Sequence, residues 1–197
     1  MVASLFNPDN VVVGNAYLFL TPWVAGSVEP LIDDSEDLFD PAAWPSPWFG
    51  AGATHEGFKI NVDTSTTTVN IEEQSTPVAE SVESKAIAIE AALAEDTLQS
   101  MQLSWGGGDI TVAAPSVGVP GTSKMSLSDE LQYYTAALEM RNHYGFARRI
   151  YIPKVSATGS GDVAFRRAAD KRTYPIRFAS LCKPTDIQVV EITAPAT

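Results

Sequence analysis

From Phe58 onward the side chains change polarity at every second residue. Phe58, Ile60 and Val62 alternate with Lys59, Asn61 and Asp63, and after Thr64 and Ser65 the run Thr66 to Glu73 sets Val69 and Ile71 against Asn70 and Glu72. A period of two sends successive side chains to opposite faces of a pleated strand, whereas a helix would scatter the same pattern around its axis. Two half-buried strands are therefore expected. A third runs from Ala86 to Glu95, with Ile87, Ile89, Ala91 and Leu93 on one face and Ala88, Glu90 and Ala92 on the other. The period then changes. Asp96 is placed to accept the free N–H groups of a following turn, Leu98, Met101 and Trp105 recur at helical spacing, and Gly106 to Gly108 end the element. The expected order is strand, strand, strand, short helix.

The flanking chain is also rich in strands. Val11 to Leu20 reads as an apolar strand of ambiguous register that Gly14 and Asn15 bend, and Ile110 to Ala113 as a short strand before a Pro/Gly-rich connection from Ala114 to Ser123. Lys124 to Met140 has two readings. Leu127, Leu131, Tyr134 and Leu138 fit a helix, while Tyr133, Thr135 and Ala137 fit one face of a strand. Arg148 to Ser156, Val163 to Arg167, Tyr174 to Cys182 and Ile187 to Ile192 read as strands, with turns at Thr158 to Asp162 and Pro184 to Asp186. The 197 residues fit one mainly β domain: a sandwich or barrel of two packed sheets with one short α-helix, an N-terminal arm at 1–10 and a frayed tail at 193–197.

One segment breaks this pattern. Residues 21–52 hold five prolines, the acidic cluster Asp33, Asp34, Glu36, Asp37 and Asp40, and the tryptophans Trp23, Trp44 and Trp48. So long a proline-rich loop is rarely without a use, and Trp44, Trp48 and Phe49 have the character of anchors that need a surface to bury them. That surface is either the chain's own domain or a neighbouring subunit, and the second is the preferred expectation.

Charge is distributed unevenly. The net charge is -11, yet residues 1–100 carry sixteen acidic and two basic side chains, and 101–197 carry eight acidic and eleven basic. Acidic loops can simply keep a protein soluble, but if copies assemble head to tail the acidic part of one can face the basic part of the next. Such a balance does not suit a nucleic-acid binder, which needs a basic footprint. Arg148, Arg149, Lys154, Arg166, Arg167, Lys171 and Arg172 alternate over two faces and are expected to pair with acidic neighbours, with phosphate contact second.

No catalytic, cofactor or metal pattern stands out. His55 and His143 are the two histidines and lie in neither an H-E-x-x-H nor an H-x-H motif; no G-x-S-x-G elbow occurs, and no G-K-S/T follows the glycine runs. The single Cys182 is expected to be a small core side chain. No apolar run reaches the ~20 residues of a membrane helix, and MVASLFNPDN lacks the pattern of a signal peptide.

The order of these elements, with the start ATHEG, the central Pro77 and the strand-to-helix switch LAEDTLQSM, resembles the major tail (tail tube) proteins of long-tailed, non-contractile bacteriophages. The resemblance returns in the arginine-bearing strand and Gly-containing turn of GFARRIYIPKVSATGSGDVAFRRAADKRTYPIRFASLCKP, and in the late strand Pro175, Ile176, Phe178 and Leu181. It favours a strand from Tyr133 onward. It implies a virion protein assembled in the host cytoplasm, in which six subunits close a ring around a continuous β-barrel and the rings stack into a tail tube that conducts DNA. Its implied partners are copies of itself and the tape measure, tail tip and tail terminator proteins, with DNA passing unbound and no membrane. Four strands per subunit would give roughly 24 strands and a lumen of ~35 to 40 Å. On this reading Asn61, Asp63, Asn70 and Glu72 are lumen candidates. Trp44, Trp48, Phe49, Asp33, Asp34, Glu36, Asp37, Arg148, Arg149, Arg166 and Arg167 are candidates for contacts between subunits. The alternative is a β-sandwich that binds a receptor or carbohydrate through its tryptophans.

Overall fold

A computed structural model describes residues 16–26, 44–69, 79–141, 147–159, 163 and 172–192. The chain runs through β1 (Ala16–Pro22), β2 (Phe49–Gly50), β3 (Thr54–Val69), β4 (Ala79–Leu93), α1 (Leu98–Ser104), β5 (Asp109–Ala113), β6 (Thr122–Ser126), β7 (Tyr133–Arg141), β8 (Ala147–Gly159), β9 (Tyr174–Ser180), a 3-10 turn at Pro184–Asp186, and β10 (Gln188–Ile192). It is mainly β. Eight strands form one antiparallel sheet in the order β2-β1-β7-β8-β9-β4-β3, with β10 also on β8, while β5 and β6 form a separate two-stranded sheet.

The expected strands at Phe58 and Thr66 are one element. β3 runs unbroken for 16 residues against β4, and a register shift at Ser65/Thr66 takes up the irregularity that reads as a break between strands. Thr and Ser are compatible with a pleated strand, so Thr64-Ser65 does not oblige the chain to turn. A second shift, between Thr54 and Phe58, is a bulge in which the Thr54 hydroxyl accepts the Gly57 N–H at 3.1 Å. Gly57 sits there at φ +82°, a conformation that a Cβ would disfavour.

The helix begins one residue later than its sequence suggested. Thr97, not Asp96, is the N-cap, and its hydroxyl accepts the Ser100 N–H at 3.0 Å. Asp96 instead pairs with Arg172 at 2.7 Å and accepts the Tyr174 hydroxyl, tying the strand-to-helix switch to the start of β9. At the helix end Gly108 (φ +133°) passes so close to β6 that a Cβ there would lie 2.4 Å from the Ser126 carbonyl oxygen.

The 124–140 ambiguity resolves as strand from Tyr133, and β6 is a strand in a stretch assigned to a connection and to the start of that ambiguous run. Cys182 lies just past β9, half-buried against the core, and burial pushes its thiol up. The N-terminal arm, residues 27–43, the tail at 193–197 and, apart from Val163, the expected strand 163–167 lie outside the described residues.

Alternation decides which side chains meet. Leu18 and Leu20 of β1, Ala136 and Leu138 of β7, Ile152 of β8, Ile176 and Phe178 of β9 and Ile89 of β4 point to one face, where Leu103 of α1 joins them in the main core. On the other face Phe19, Ala137 and Tyr151 form a second cluster with Trp44. Burial on both faces explains the continuous apolar reading of β1 and its ambiguous register. Between β7 and β8 the register slips where Pro153, lacking an N–H, leaves the ladder, and the Thr135 hydroxyl donates to its carbonyl at 2.9 Å.

Tyr134 bridges the core and this slip. Its ring stands edge-on to Phe178 and its hydroxyl donates to Gln132 Oε1 at 2.5 Å. Burial pushes its pKa from 10.0 up to about 12. A folded-state pKa raised above the unfolded value contributes stability that is complete below pH 10.0 and is lost as pH rises through about 12. Tyr134→Phe, lacking the titrating group, should therefore lose less stability than the wild type between those pH values in denaturant titrations. Equal losses would exclude Tyr134 as a source of the alkaline transition.

Candidate functional site

The residues expected to reach a neighbour divide into two groups. Trp44 is 5% exposed, stacks on Phe19 with ring centroids 4.0 Å apart and planes at 14°, and receives the Arg149 guanidinium at 5.5 Å from its centroid. This corrects the expectation for Trp44: its surface is buried in its own chain, on the second face of the large sheet. Trp48 lies half-buried beside it, 5.1 Å centroid to centroid. Phe49 belongs to β2 and packs on the main core, edge-on to Tyr134. Asp33, Asp34, Glu36, Asp37, Arg166 and Arg167 lie outside the described residues.

The arginines of β8 find acidic partners within the chain. Arg148 meets Glu191 of β10 at 2.5 Å, with both side chains exposed. Arg149, on the opposite face, pairs with the fully buried Glu139 directly across the ladder from it. Arg149 is thus corrected as a candidate for contact between subunits. Burial raises the Glu139 carboxyl above its ordinary range, against the hydrogen bond and charge of Arg149, which lower it. Among the described residues, Glu139 Oε2 and Arg149 Nη2 are buried without a hydrogen-bond partner. Lys154 meets aromatic rings instead: its ammonium sits 3.9 Å from the Trp23 ring centroid and 4.5 Å from that of Tyr133.

Of the lumen candidates, Asn61 and Asp63 are exposed on the face of β3 opposite the main core, and Asn70 and Glu72 lie outside the described residues. Ser65 and Thr67 share that face, and both donate to Glu83 across the hairpin. Here the large sheet changes character. β9 pairs with β4 from Ala88 to Leu93; among the described residues β4 from Ala79 to Ile87 has β3 as its sole strand partner, with the Ile87 N–H donating to Ser180 Oγ at 3.2 Å. Residues 62–69 and 79–87 thus form a two-stranded ribbon running beyond the body, exposed along nearly its whole length. Its core-side face continues the apolar row outward, from buried Ile89 through half-buried Ile87 to Val62 (54% exposed) and Val82 (61%). Among the described residues nothing pairs with the outer edge of β3.

A second projection, not expected from alternation, is the pairing of β5 with β6. The hairpin of β5 and β6 leaves the body with Ile110 and Met125 half-buried as a cross-strand pair, then exposes Val112 (71%), Val119 and Val117 (105%). The signal was available: residues 110–123 contain no charged side chain.

Among the described residues no three His, Cys, Asp or Glu side chains converge as metal ligands, and no helix is long and apolar enough to cross a membrane. Compared with known proteins, the sequence matches no family model and no curated protein.

The Glu139–Arg149 pair gives a direct test of the second face. Removing one partner strands a buried charge, whereas replacing both with apolar groups of similar size removes the desolvation cost. Arg149→Met should cost about 3 to 5 kcal/mol in urea unfolding, and Glu139→Leu/Arg149→Met much less than that. A double variant as unstable as the single one would show that the pair is not a closed unit.

Proposed function

We propose that this protein is a structural subunit that works by assembling with copies of itself, as stacked rings forming the hollow tail tube of a non-contractile phage through which DNA passes. The observation that carries the reading is the ribbon of β3 and β4. A lone two-stranded hairpin is marginal in water, and a 16-residue edge strand leaves a row of unpaired backbone groups, so both call for further protein. At the other end of the large sheet the short segment Phe49–Ala51 lies along β1, pairing with Phe19 and Leu20 and donating the Ala51 N–H to the Leu18 carbonyl at 2.8 Å. A long edge at β3 with no strand beside it among the described residues suits joining in which one copy continues its neighbour's sheet. Closure of the ring then satisfies the edges.

The sheet face carrying Asn61, Asp63, Ser65, Thr67 and Glu83 suits the lumen. It offers carboxylates and hydroxyls, and among the described residues its two cations lie near the body beside Glu90: Arg177 at 3.2 Å from its carboxylate and Lys59 opposite it in the ladder. Such a wall repels phosphates or leaves them unbound, so a sliding duplex meets little friction. The rival reading, carbohydrate recognition by Trp44 and Trp48, loses its platform because Trp44 is buried within the second cluster, stacked on Phe19.

Negative-stain microscopy of the purified protein at rising concentration tests the reading. Rings or tubes are expected; persistent monomers that retain glycans would replace it with the rival. For the lumen face, virions carrying Asp63→Lys should keep tubes of normal appearance while delivering DNA several-fold less efficiently, as expected if an added cation holds phosphates. Unchanged infectivity would remove Asp63 from the channel wall.

A further inference from the structure

The β5–β6 hairpin is an apolar projection with no role in the fold described so far. Its half-buried base, Ile110 and Met125, is succeeded by Val112 on the same face, and the tip carries Val117 and Val119 between Pro115 and Pro120. The core-side face of the β3–β4 ribbon is its counterpart. There Ile60, Val62 and Val82 lie with Thr64 and Thr66, interrupted by Lys85 and, at the far end, Glu80. Both surfaces present β-branched aliphatic side chains of similar size, and both lie beyond the body on two-stranded supports.

We propose that the β5–β6 finger of one copy packs on the Ile60/Val62/Val82 face of the ribbon of a second copy. The inference rests on the self-assembly reading and assigns the residues of one of its contacts. Charge identifies the occupant. Two molecules each carrying -11 repel at most approaches, and the 14 residues 110–123, which carry no charge, form a stretch of one copy that meets another without like-charge cost. A strongly basic partner would gain nothing from a neutral finger. A bilayer is disfavoured as well: the tip lacks the Trp, Tyr, Lys or Arg that anchors an interfacial segment, and anionic lipid repels so acidic a chain. Because finger and ribbon face are different surfaces, the contact is heterologous. Two copies joined this way still present one free finger and one free ribbon, so the contact propagates until a ring closes.

Two substitutions at exposed positions test this without touching the core: Val117→Asp on the finger and Val82→Asp on the ribbon. Each should raise the concentration needed for assembly by at least about tenfold, through one unpaired carboxylate buried at the contact. Unchanged thermal unfolding of the isolated subunits checks that each still folds. At concentrations where neither variant assembles alone, an equimolar mixture should sediment as a complex of one of each and nothing larger. In that complex the intact finger of the Val82→Asp copy meets the intact ribbon of the Val117→Asp copy. Assembly of Val117→Asp at the wild-type concentration, or no complex in the mixture, would overturn the contact while leaving the tube reading in place. Wild-type dimers or short chains that depend on Val117 but never form rings would keep the contact and end the tube reading. Flotation of the wild type, but not Val117→Asp, with phosphatidylcholine vesicles would reassign the finger to lipid and overturn the proposal.

Discussion

Backbone hydrogen bonding along β8 is the constraint on which the rest of the molecule depends. Its 13 residues take β7 on one side and, on the other, first β10 at Ala147 to Tyr151 and then β9 at Val155 to Gly159. β9 and β10 are therefore one edge partner interrupted by an excursion through the 3-10 turn at Pro184–Asp186, and the Leu181 N–H donates to the Lys154 carbonyl at 2.9 Å where the excursion starts. Every buried backbone group on β8 has to find a partner, so the positions of four strands are fixed together. Through β9, β4 and then β3 are placed as well, and the ribbon inherits its direction from that register.

The two faces of this sheet resolve polarity in different ways. The main-core face is apolar, closed by Leu103 of α1 and by Tyr174, whose hydroxyl reaches Asp96. The second face buries a charge pair beneath Trp44. Such a pair is a poor source of stability, because desolvation offsets most of the attraction, but it is selective: slipping β7 against β8 by one residue would turn Glu139 to the apolar main-core face and part it from Arg149. Glu139 and Arg149 thus favour one register over its alternatives, and Trp44 seals them from water. This is why the tryptophan that looked available to another subunit is used at home.

Much of the strand content is legible from alternation alone, and the limits of that legibility are physical. β7 was ambiguous because Leu131, Tyr134 and Leu138 also fit a helix; the ladder to β8 settles it, and leaves Leu131 exposed on a connecting segment. β3 read as two strands because a bulge and a turn look alike in a run of threonine and serine. β6, Thr122–Ser126, carries no alternating apolar row, since its hairpin stands outside the core and gains little from burial. Asp96 and Thr97 are both good caps, and the choice between them fell to Arg172 and Tyr174, 76 and 78 residues away in the chain, which claim the aspartate.

The sequence by itself determined that this chain is built of strands with one short helix after β4, because a period of two or of 3.6 is a local property that needs no knowledge of neighbours. It also determined the charge imbalance and the uncharged stretch at 110–123, which are matters of composition. Only the tertiary structure decided which side chains are left exposed and which are consumed within the chain. That choice depends on pairing between distant strands: Trp44 falls on Phe19 and Arg149 on Glu139 because of where β1, β7 and β8 meet, while β3 and β4 run past the end of β9 and leave their apolar row in the open.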